Sequence, residues 1–228
     1  MEPITTEVID TLRTFNSPTV ANAIEVFDVR PRNTGFMNST IRCQFPNFGP
    51  MVGYAVTAKI RALNPPGDKA LHPSMHWENI IKVPAPRVVV VQDLDDPPAV
   101  GSMWGEVQSN IHRALGCIGV VTNGGVRDLE EVHAMGFHYF ARAAIVSHAY
   151  IHIVETGTPV EVGGSCIEPG DLIHADRHGV QTIPKEIATQ IADRVNRVEK
   201  NERPIIEFCK SNEFSVEGLK EVWDSFHG

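Results

Sequence analysis

Four cysteines in 228 residues, Cys43, Cys117, Cys166 and Cys209, are spread far apart and form no C-x-x-C. That excludes a disulfide-dense secreted scaffold and a zinc ribbon, and it fits reduced thiols in a cytoplasmic protein. Positive charge is also scarce. Lys and Arg number 20 against 28 Asp and Glu, for a net charge of -8, and no run of basic residues gathers them. Nucleic-acid affinity rests on Lys and Arg meeting phosphates, so no nucleic-acid partner is expected. No apolar stretch approaches the roughly 20 residues of a bilayer span, and "MEPITTEVIDTLRTF" is acidic and amphipathic, unlike a signal peptide. No membrane association is expected. Neither G-x-G-x-x-G nor G-x-x-x-x-G-K-[ST] stands at the strand-to-helix turns, which weakens dinucleotide and P-loop readings. Repeats and low-complexity tracts are missing too.

The hydrophobic content of 42% belongs to an ordinary globular protein. "ITTEVIDTLRTF" and "SPTVANAIEVF" carry apolar residues at helical spacing, the second opened by Ser17-Pro18 as cap and first turn. "MVGYAVTAKIRA" (51–62) alternates and is β-branched, hence a strand. A Pro/Gly loop then leads to a helix expected around residues 69–82. "PRVVVVQDL" is a continuous apolar run suited to a strand covered on both faces. Residues 103–115 place Trp104, Val107, Ile111, Ala114 and Leu115 on one helical face, with Gly116 as the C-terminal cap. "CIGVVT" is the next buried strand, and "VRDLEEVHAM" returns to helical spacing through Val126, Leu129, Val132 and Met135. Short strands follow in "YFARAAIV", "AYIHIV", "PVEVGG" and "DLIHAD". A long helix is expected from about Pro184, then a short one over "SVEGLKEVWDSF". Strands alternating with helices indicate an α/β fold with parallel crossovers, read as a single domain over residues 1–228.

Chemistry concentrates where "GCIGVVTNGG" gives way to Arg127-Asp128. Residues 122–126 fall at the carboxyl end of a strand, where open α/β sheets bind ligands. A helix start offers free N–H groups to an anion, Gly124 and Gly125 would let a ligand approach the backbone, and Arg127 supplies a planar fork for a carboxylate. The plainer alternative is an acid in a first turn and an Arg127–Glu131 pair at i,i+4. Upstream, "GSMWGEVQSN" puts Glu106 at a second helix start. The histidines of "HADRH", and His148 with His152, match no zinc spacing and read as packing or surface residues.

Glu106, twenty intervening residues, then Arg127-Asp128 resembles the acid-x20-Arg-Asp signature of the class II pyruvate aldolases. These are the 4-hydroxy-4-methyl-2-oxoglutarate / 4-carboxy-4-hydroxy-2-oxoadipate aldolases of the RraA-like superfamily. "PPGDKALH", "GCIGVVTNGGVRDLEEV", "YFARAAIVS", "PVEVGG" and the turn around 169–180 extend the resemblance over most of the chain. It implies an αββα sandwich of the swivelling β/α type, assembled as homotrimers or hexamers with sites between subunits. By position it implies Asp128 as the ligand of Mg²⁺ or Mn²⁺ and Arg127 on the pyruvate carboxylate. Backbone N–H groups of Gly105, Glu106 and Val107 would hold the pyruvate moiety, and Glu106 a metal-bound water. A glutamate from the neighbouring subunit's C-terminal helix, Glu202 or else Glu199, would complete that water shell. The implied activity is a divalent-metal-dependent lyase that cleaves a 4-hydroxy-2-oxo acid to pyruvate and also decarboxylates oxaloacetate. The superfamily also holds non-catalytic regulators that bind an RNase, but the trio Glu106, Arg127 and Asp128 favours the enzyme. The chain departs from the pattern at Val107, where Leu is common. Pro204 is expected to break the helix just after Glu202, and "VSHAYIHIVETGTPV" suggests a different distal substrate group.

Overall fold

The computed structural model describes residues 4–67 and 70–227, without the side chains of Glu199, Phe226 and His227. Asp68 and Lys69, within the segment "PPGDKALH", lie outside the described residues. So does the expected start of the first central helix. The elements run α1 (Thr6–Leu12), α2 (Ser17–Glu25), β1 (Arg42–Cys43), β2 (Met51–Arg61), α3 (Pro73–Ile80), β3 (Arg87–Asp93), α4 (Glu106–Ala114), β4 (Cys117–Val126), α5 (Leu129–Ala134) and β5 (His138–Ala144). Next come β6 (His152–Thr156), β7 (Val160–Val162), β8 (Ser165–Ile167), β9 (Leu172–Asp176), β10 (Gly179–Ile183), a 3-10 turn at Ala188–Gln190, α6 (Ile191–Lys210) and α7 (Val216–His227).

Parallel pairing of β2, β3, β4 and β5 forms the centre of an eight-stranded sheet, ordered β1-β5-β4-β3-β2-β9-β10, with β6 beside the second half of β2. The run Val88–Val91 is fully buried, as a central parallel strand requires, and each such side chain contributes about 1.5–3 kcal/mol by leaving water. Its residues alternate between two cores. Val89 and Val91 join Val56, Ile60, Val120, Val132 and Phe137 on the side of α3, α4 and α5. Val88 and Val90 join Val121 and Phe140 against Ile173, Ala175 and Val180 of β9–β10 and the β7–β8 hairpin. On their far side β9 and β10 turn Leu172 and Ile183 toward α1, α2 and α6. The order is helices, parallel strands, antiparallel strands, helices, which is the expected αββα sandwich.

Several local expectations are corrected. The cap of α2 is Asn16, whose side chain accepts from Thr19 N–H, so Ser17 and Pro18 are already inside the first turn. β2 is buried on both faces through Ala58 instead of alternating, because Val56 and Ala58 face the core under α3–α5 while Met51, Ala55, Val52 and Tyr54 face the cores built with β9–β10 and the terminal helices. Helix α4 starts only at Glu106, and the side it buries is Ser109 and His112. Val107, assigned to the inner face, is 70% exposed. Polar residues can occupy the inner face because partners await them: Ser109 Oγ lies 2.8 Å from Tyr139 OH, and His112 Nδ1 donates to Gln108 O at 2.7 Å. Pro204 does not end α6, which continues to Lys210. Proline forfeits one i→i−4 bond, yet an exposed helix can absorb that loss.

Candidate functional site

Strand β4 does not stop at Thr122. It continues to Val126, gaining one extra residue against β5 between the pairs Thr122–Ala141 and Gly125–Ala143. That is a β-bulge, which bends a strand and re-aims the residues beyond it. Asn123 repairs the disturbed edge. Its side-chain Oδ1 accepts from Asp93 N–H at 2.7 Å and its Nδ2 donates to Asp93 O at 2.9 Å, imitating a peptide group. The two glycines, expected to let a ligand approach the backbone, make room for the protein's own side chains. A Cβ at Gly124 would meet the Asp93 side chain, and one at Gly125 would run into Ile145.

Beyond the bulge, Arg127 N–H donates to Trp104 O (3.1 Å), so the segment ahead of α4 is stitched alongside the end of β4. Ser102 Oγ reinforces that seam, bridging Trp104 O (2.7 Å) and Gly125 O (2.8 Å). Asp128 then adopts φ 56°, ψ 50°, a left-handed conformation that costs an L-residue roughly 1–2 kcal/mol, though Asp tolerates it better than most. It precedes α5 without capping it. Its carboxylate turns instead to α4, where Oδ2 accepts from Glu106 N–H at 2.9 Å. Gly105, the N-cap of α4, has no side chain to do this itself, and a Cβ there would collide with Asp128 Oδ2. Arg127 Nε stands 3.9 Å from Asp128 Oδ1, and the two side chains are 36% and 35% exposed.

Gly105, Glu106, Arg127 and Asp128 are therefore brought together, with Val107 beside them on the outer surface of α4. One expectation changes: the Glu106 N–H is already held by Asp128, so it is not among the free donors for pyruvate. Helix α5 has only six residues, so what the Arg127–Asp128 corner offers a ligand is its side chains. Glu202 stands apart, on α6, which packs against α1, α2 and α7. Glu199 is on the same helix. Sequence reading missed Ser102, Tyr139 and Ser109. Burial raises the Tyr139 phenol pKa, the Ser109 hydrogen bond opposes the shift, and the charge of Asp128 adds to it. Only Asn123 left a signal, an amide directly before a Gly-Gly pair at a strand end.

Asp93 and Asp95 lie close by but serve as turn organisers. Asp93 accepts from Asp95 and Ala99 N–H groups, and Asp95 from those of Ala62 and Leu63. Burial raises the Asp93 pKa. Asp128 differs: one of its oxygens takes a backbone N–H, and the other faces Arg127 at a distance too long for a hydrogen bond. Among the described residues no group of three or more His, Cys, Asp or Glu is suited to hold a metal. A single carboxylate still fits Mg²⁺, which binds through one or two carboxylates and retains several waters.

Comparison with known proteins agrees with this architecture. A solved structure of an uncharacterised protein from Pseudomonas syringae pv. tomato aligns with TM-score 0.75 at 23% identity, over 98% of this chain and 96% of that one. Streptomyces coelicolor RraAS2, described as an unusual member of the RNase ES inhibitor RraA protein family, aligns with TM-score 0.70 at 22% identity, over 89% and 97%. Among curated relatives, an uncharacterised protein of Methanocaldococcus jannaschii is 29% identical over 135 residues, 58% of this chain and 65% of that protein. A Halalkalibacterium halodurans protein named "Putative 4-hydroxy-4-methyl-2-oxoglutarate aldolase" is 35% identical over 82 residues, 36% of this chain and 39% of that protein. The chain thus spans less than two thirds of the length of these curated relatives. The RraA-like family model, described as Aldolase/RraA, matches residues 5–181. Those residues hold the bulged strand, the left-handed Asp128 and the glycine that makes room for it, and the chain belongs to the RraA-like family.

Proposed function

We propose that this chain is a divalent-metal-dependent carbon–carbon lyase that releases pyruvate from a 4-hydroxy-2-oxo acid, and that it decarboxylates oxaloacetate by the same route. The observation that carries the reading is Asp128. It is held in a strained left-handed conformation, its carboxylate is aimed at the start of α4, and an arginine stands beside it.

Asp128 would hold Mg²⁺ or Mn²⁺. When bound, the ion supplies Lewis-acid stabilisation of the negative charge that develops on the 2-oxo oxygen, a contribution of several kcal/mol. Arg127 grips the substrate carboxylate with its guanidinium fork, which fixes the C3–C4 bond relative to the site. The N–H groups of Gly105 and Val107 flank the same position. In retro-aldol cleavage the 4-hydroxyl loses its proton, the C3–C4 bond breaks, and its electron pair forms the pyruvate enolate, which is then protonated at C3. Glu106, exposed on the first turn of α4, holds and returns that proton. No Schiff-base lysine takes part.

Glu202 enters this reading from a neighbouring subunit of a trimer or a dimer of trimers. Two exposed apolar side chains beside the site support such an assembly: Val107 at 70% exposure and Val146 at 93%. Val146 follows Ile145, whose N–H bonds to Val126 O at the end of β4. Sedimentation that shows only monomer at working concentration would remove Glu202 from the site.

The decisive experiment follows pyruvate release from a panel of 4-hydroxy-2-oxo acids and from oxaloacetate. Activity is expected with Mg²⁺ or Mn²⁺, less with Ca²⁺, and none in excess EDTA. Absence of pyruvate from every substrate, with metal present, overturns the reading in favour of a non-catalytic regulator that binds a protein partner such as an RNase. Full activity in EDTA overturns the metal.

A further inference from the structure

Strand β2 is shared between the two halves of the sheet, and cavities open where it ends. On one side Ile60 pairs with Asp93 of β3, and on the other Arg61 pairs with His152 of β6. The chain leaves β2 after Arg61 and returns to β6 at Leu71, whose N–H donates to Ile153 O at 2.8 Å. Two adjoining cavities lie beside these segments, and Ala70 and His152 line both. The first, of about 450 Å³, is lined by Arg61, Asn64, Leu94 and Glu155. The second, of about 300 Å³, is lined by Leu71, Trp77, Met103, Ile151 and Ile153. Volumes of this size suit small organic ligands. Gly105, Glu106, Val107, Arg127 and Asp128 line neither, so these cavities are separate from the candidate site.

The two ends differ in chemistry. Arg61 is half exposed, and its Nη1 reaches Leu94 O at 3.2 Å and Asp95 Oδ1 at 3.4 Å. Its Nε–H and Nη2 groups, the edge of a guanidinium that grips a carboxylate through two parallel bonds, have no partner among the described residues. The acids nearby are already engaged. Glu155 Oε2 is held by Lys59 Nζ at 2.7 Å and by Thr158 Oγ1 at 2.9 Å, and Asp95 Oδ2 accepts the N–H groups of Ala62 and Leu63. They still count against a dianion. A phosphate monoester carries close to two charges and would face both carboxylates, whereas a carboxylic acid carries one. The other end is a wall of aliphatic carbons, an indole and a thioether, and Met103 can reshape to an occupant. His152, with Nδ1 2.8 Å from Tyr150 O, stands where the two ends meet.

We propose that these cavities form one binding site for a carboxylic acid with a single aliphatic chain, its carboxylate on Arg61 and its chain against Trp77, Met103 and Ile151. Burial of the chain supplies affinity, and the guanidinium selects the head group. A short dicarboxylate such as oxaloacetate fits poorly, because its second charge would enter the apolar cavity without a partner. The ligand is therefore of a different class from the substrate proposed above, and the inference does not depend on the lyase reading.

Calorimetric titration of the wild-type protein with octanoate, octan-1-ol and acetate tests this. Octanoate should bind saturably, with one site per chain. Octanol keeps the chain but not the charge, and should bind about 10-fold more weakly or worse, the value of charge-assisted hydrogen bonds. Acetate keeps only the head and should show no binding at the same concentrations. Arg61→Met should reduce octanoate to the level of octanol and leave octanol unchanged. Ala70→Trp, which fills the junction of the two cavities, should abolish both. Asp128→Ala should leave octanoate binding intact; loss there would move the ligand to the Arg127–Asp128 corner and overturn the proposal. It is also overturned by an absence of saturable octanoate binding, by octanol or acetate binding as tightly as octanoate, or by undiminished octanoate affinity in Arg61→Met. Circular dichroism checks that each variant is folded, and the three ligands on the wild-type protein decide the matter where one is not.

Discussion

Two polar clusters lie at opposite ends of this molecule, and both pair an aspartate with a basic or potentially basic neighbour. At the α1–α2 turn, Asp176 is 6% exposed, and its oxygens accept from Ser17 N–H and His178 N–H, each at 2.8 Å. His174 beside it faces Ser17 Oγ through Nδ1 and the carbonyls of Leu12 and Phe15 through Nε2. The hydrogen-bonding capacity of this cluster is largely spent inside the protein, and its backbone is relaxed. The Arg127–Asp128 corner is the reverse: a third exposed, left-handed at Asp128, with bonding capacity to spare. Saturated polar groups hold a fold together, whereas strained groups with spare capacity are available to a ligand. "HADRH" is therefore architecture, and "GGVRD" is the candidate site.

The sharpest way to break that contrast is Asp128→Ala. Turnover should fall by about 10³-fold or more through loss of the metal, worth several kcal/mol. Stability should fall by only about 1 kcal/mol, the value of a lost cap on α4, or about 2–4 °C in Tm. Calorimetric titration with Mg²⁺ or Mn²⁺ that gives wild-type affinity would refute the assignment.

Asp176→Ala should behave oppositely. It strands buried donors and removes the partner of His178, so a loss of about 2–4 kcal/mol is expected in denaturant unfolding. Pyruvate release per folded molecule should be unchanged. A catalytic defect without a stability defect would erase the distinction between the two clusters.

Arg127→Lys keeps the charge but loses the fork, and should raise KM and lower kcat together by about 10- to 100-fold in kcat/KM while metal affinity holds. Gly105→Ala should fall in a similar range for a different reason. Its new Cβ displaces Asp128 Oδ2 from Glu106 N–H, so metal affinity, read by titration, should weaken along with activity.

The smallest effect is on pH dependence. His76 and His112 have folded pKa values lowered by burial to about 3 and about 4, against an ordinary 6.5. Their neutral-state contribution is fully present above pH 6.5. It is lost as pH falls toward 4, because the unfolded chain takes up protons that the folded one refuses. The slope is on the order of 1 kcal/mol per pH unit for each histidine. Scanning calorimetry from pH 7 to pH 5 should show a falling Tm, and the slope should flatten in His112→Phe.

Much of the fold could be read along the chain. Continuous valines in β3 and the alternating strands and helices between residues 51 and 144 point to buried parallel strands, because hydrophobic period and turn residues are local properties. The placement of Glu106, Arg127 and Asp128 at the ends of those strands is equally local, since a crossover carries each strand end to the same edge. The short strands β1, β8 and β10 had no such signal: two to five residues cannot establish a period, and their neighbours in the sheet define them.

Local pattern along the chain was enough to determine that β3 and β4 are buried strands and which charged residues emerge at their carboxyl ends, but not that β2 is buried on both faces. What those charged residues do there was decided in three dimensions. The buried side of α4 depended on Tyr139 waiting for Ser109, the continuation of β4 on Asn123 pairing with Asp93, and the passage of α6 through Pro204 on its exposure to solvent. The left-handed turn at Asp128 depended on Gly105 leaving room, 23 residues earlier in the chain, for the carboxylate to reach Glu106 N–H. Local propensity is additive along the chain, but hydrogen-bond satisfaction is settled between segments that meet only in the folded state.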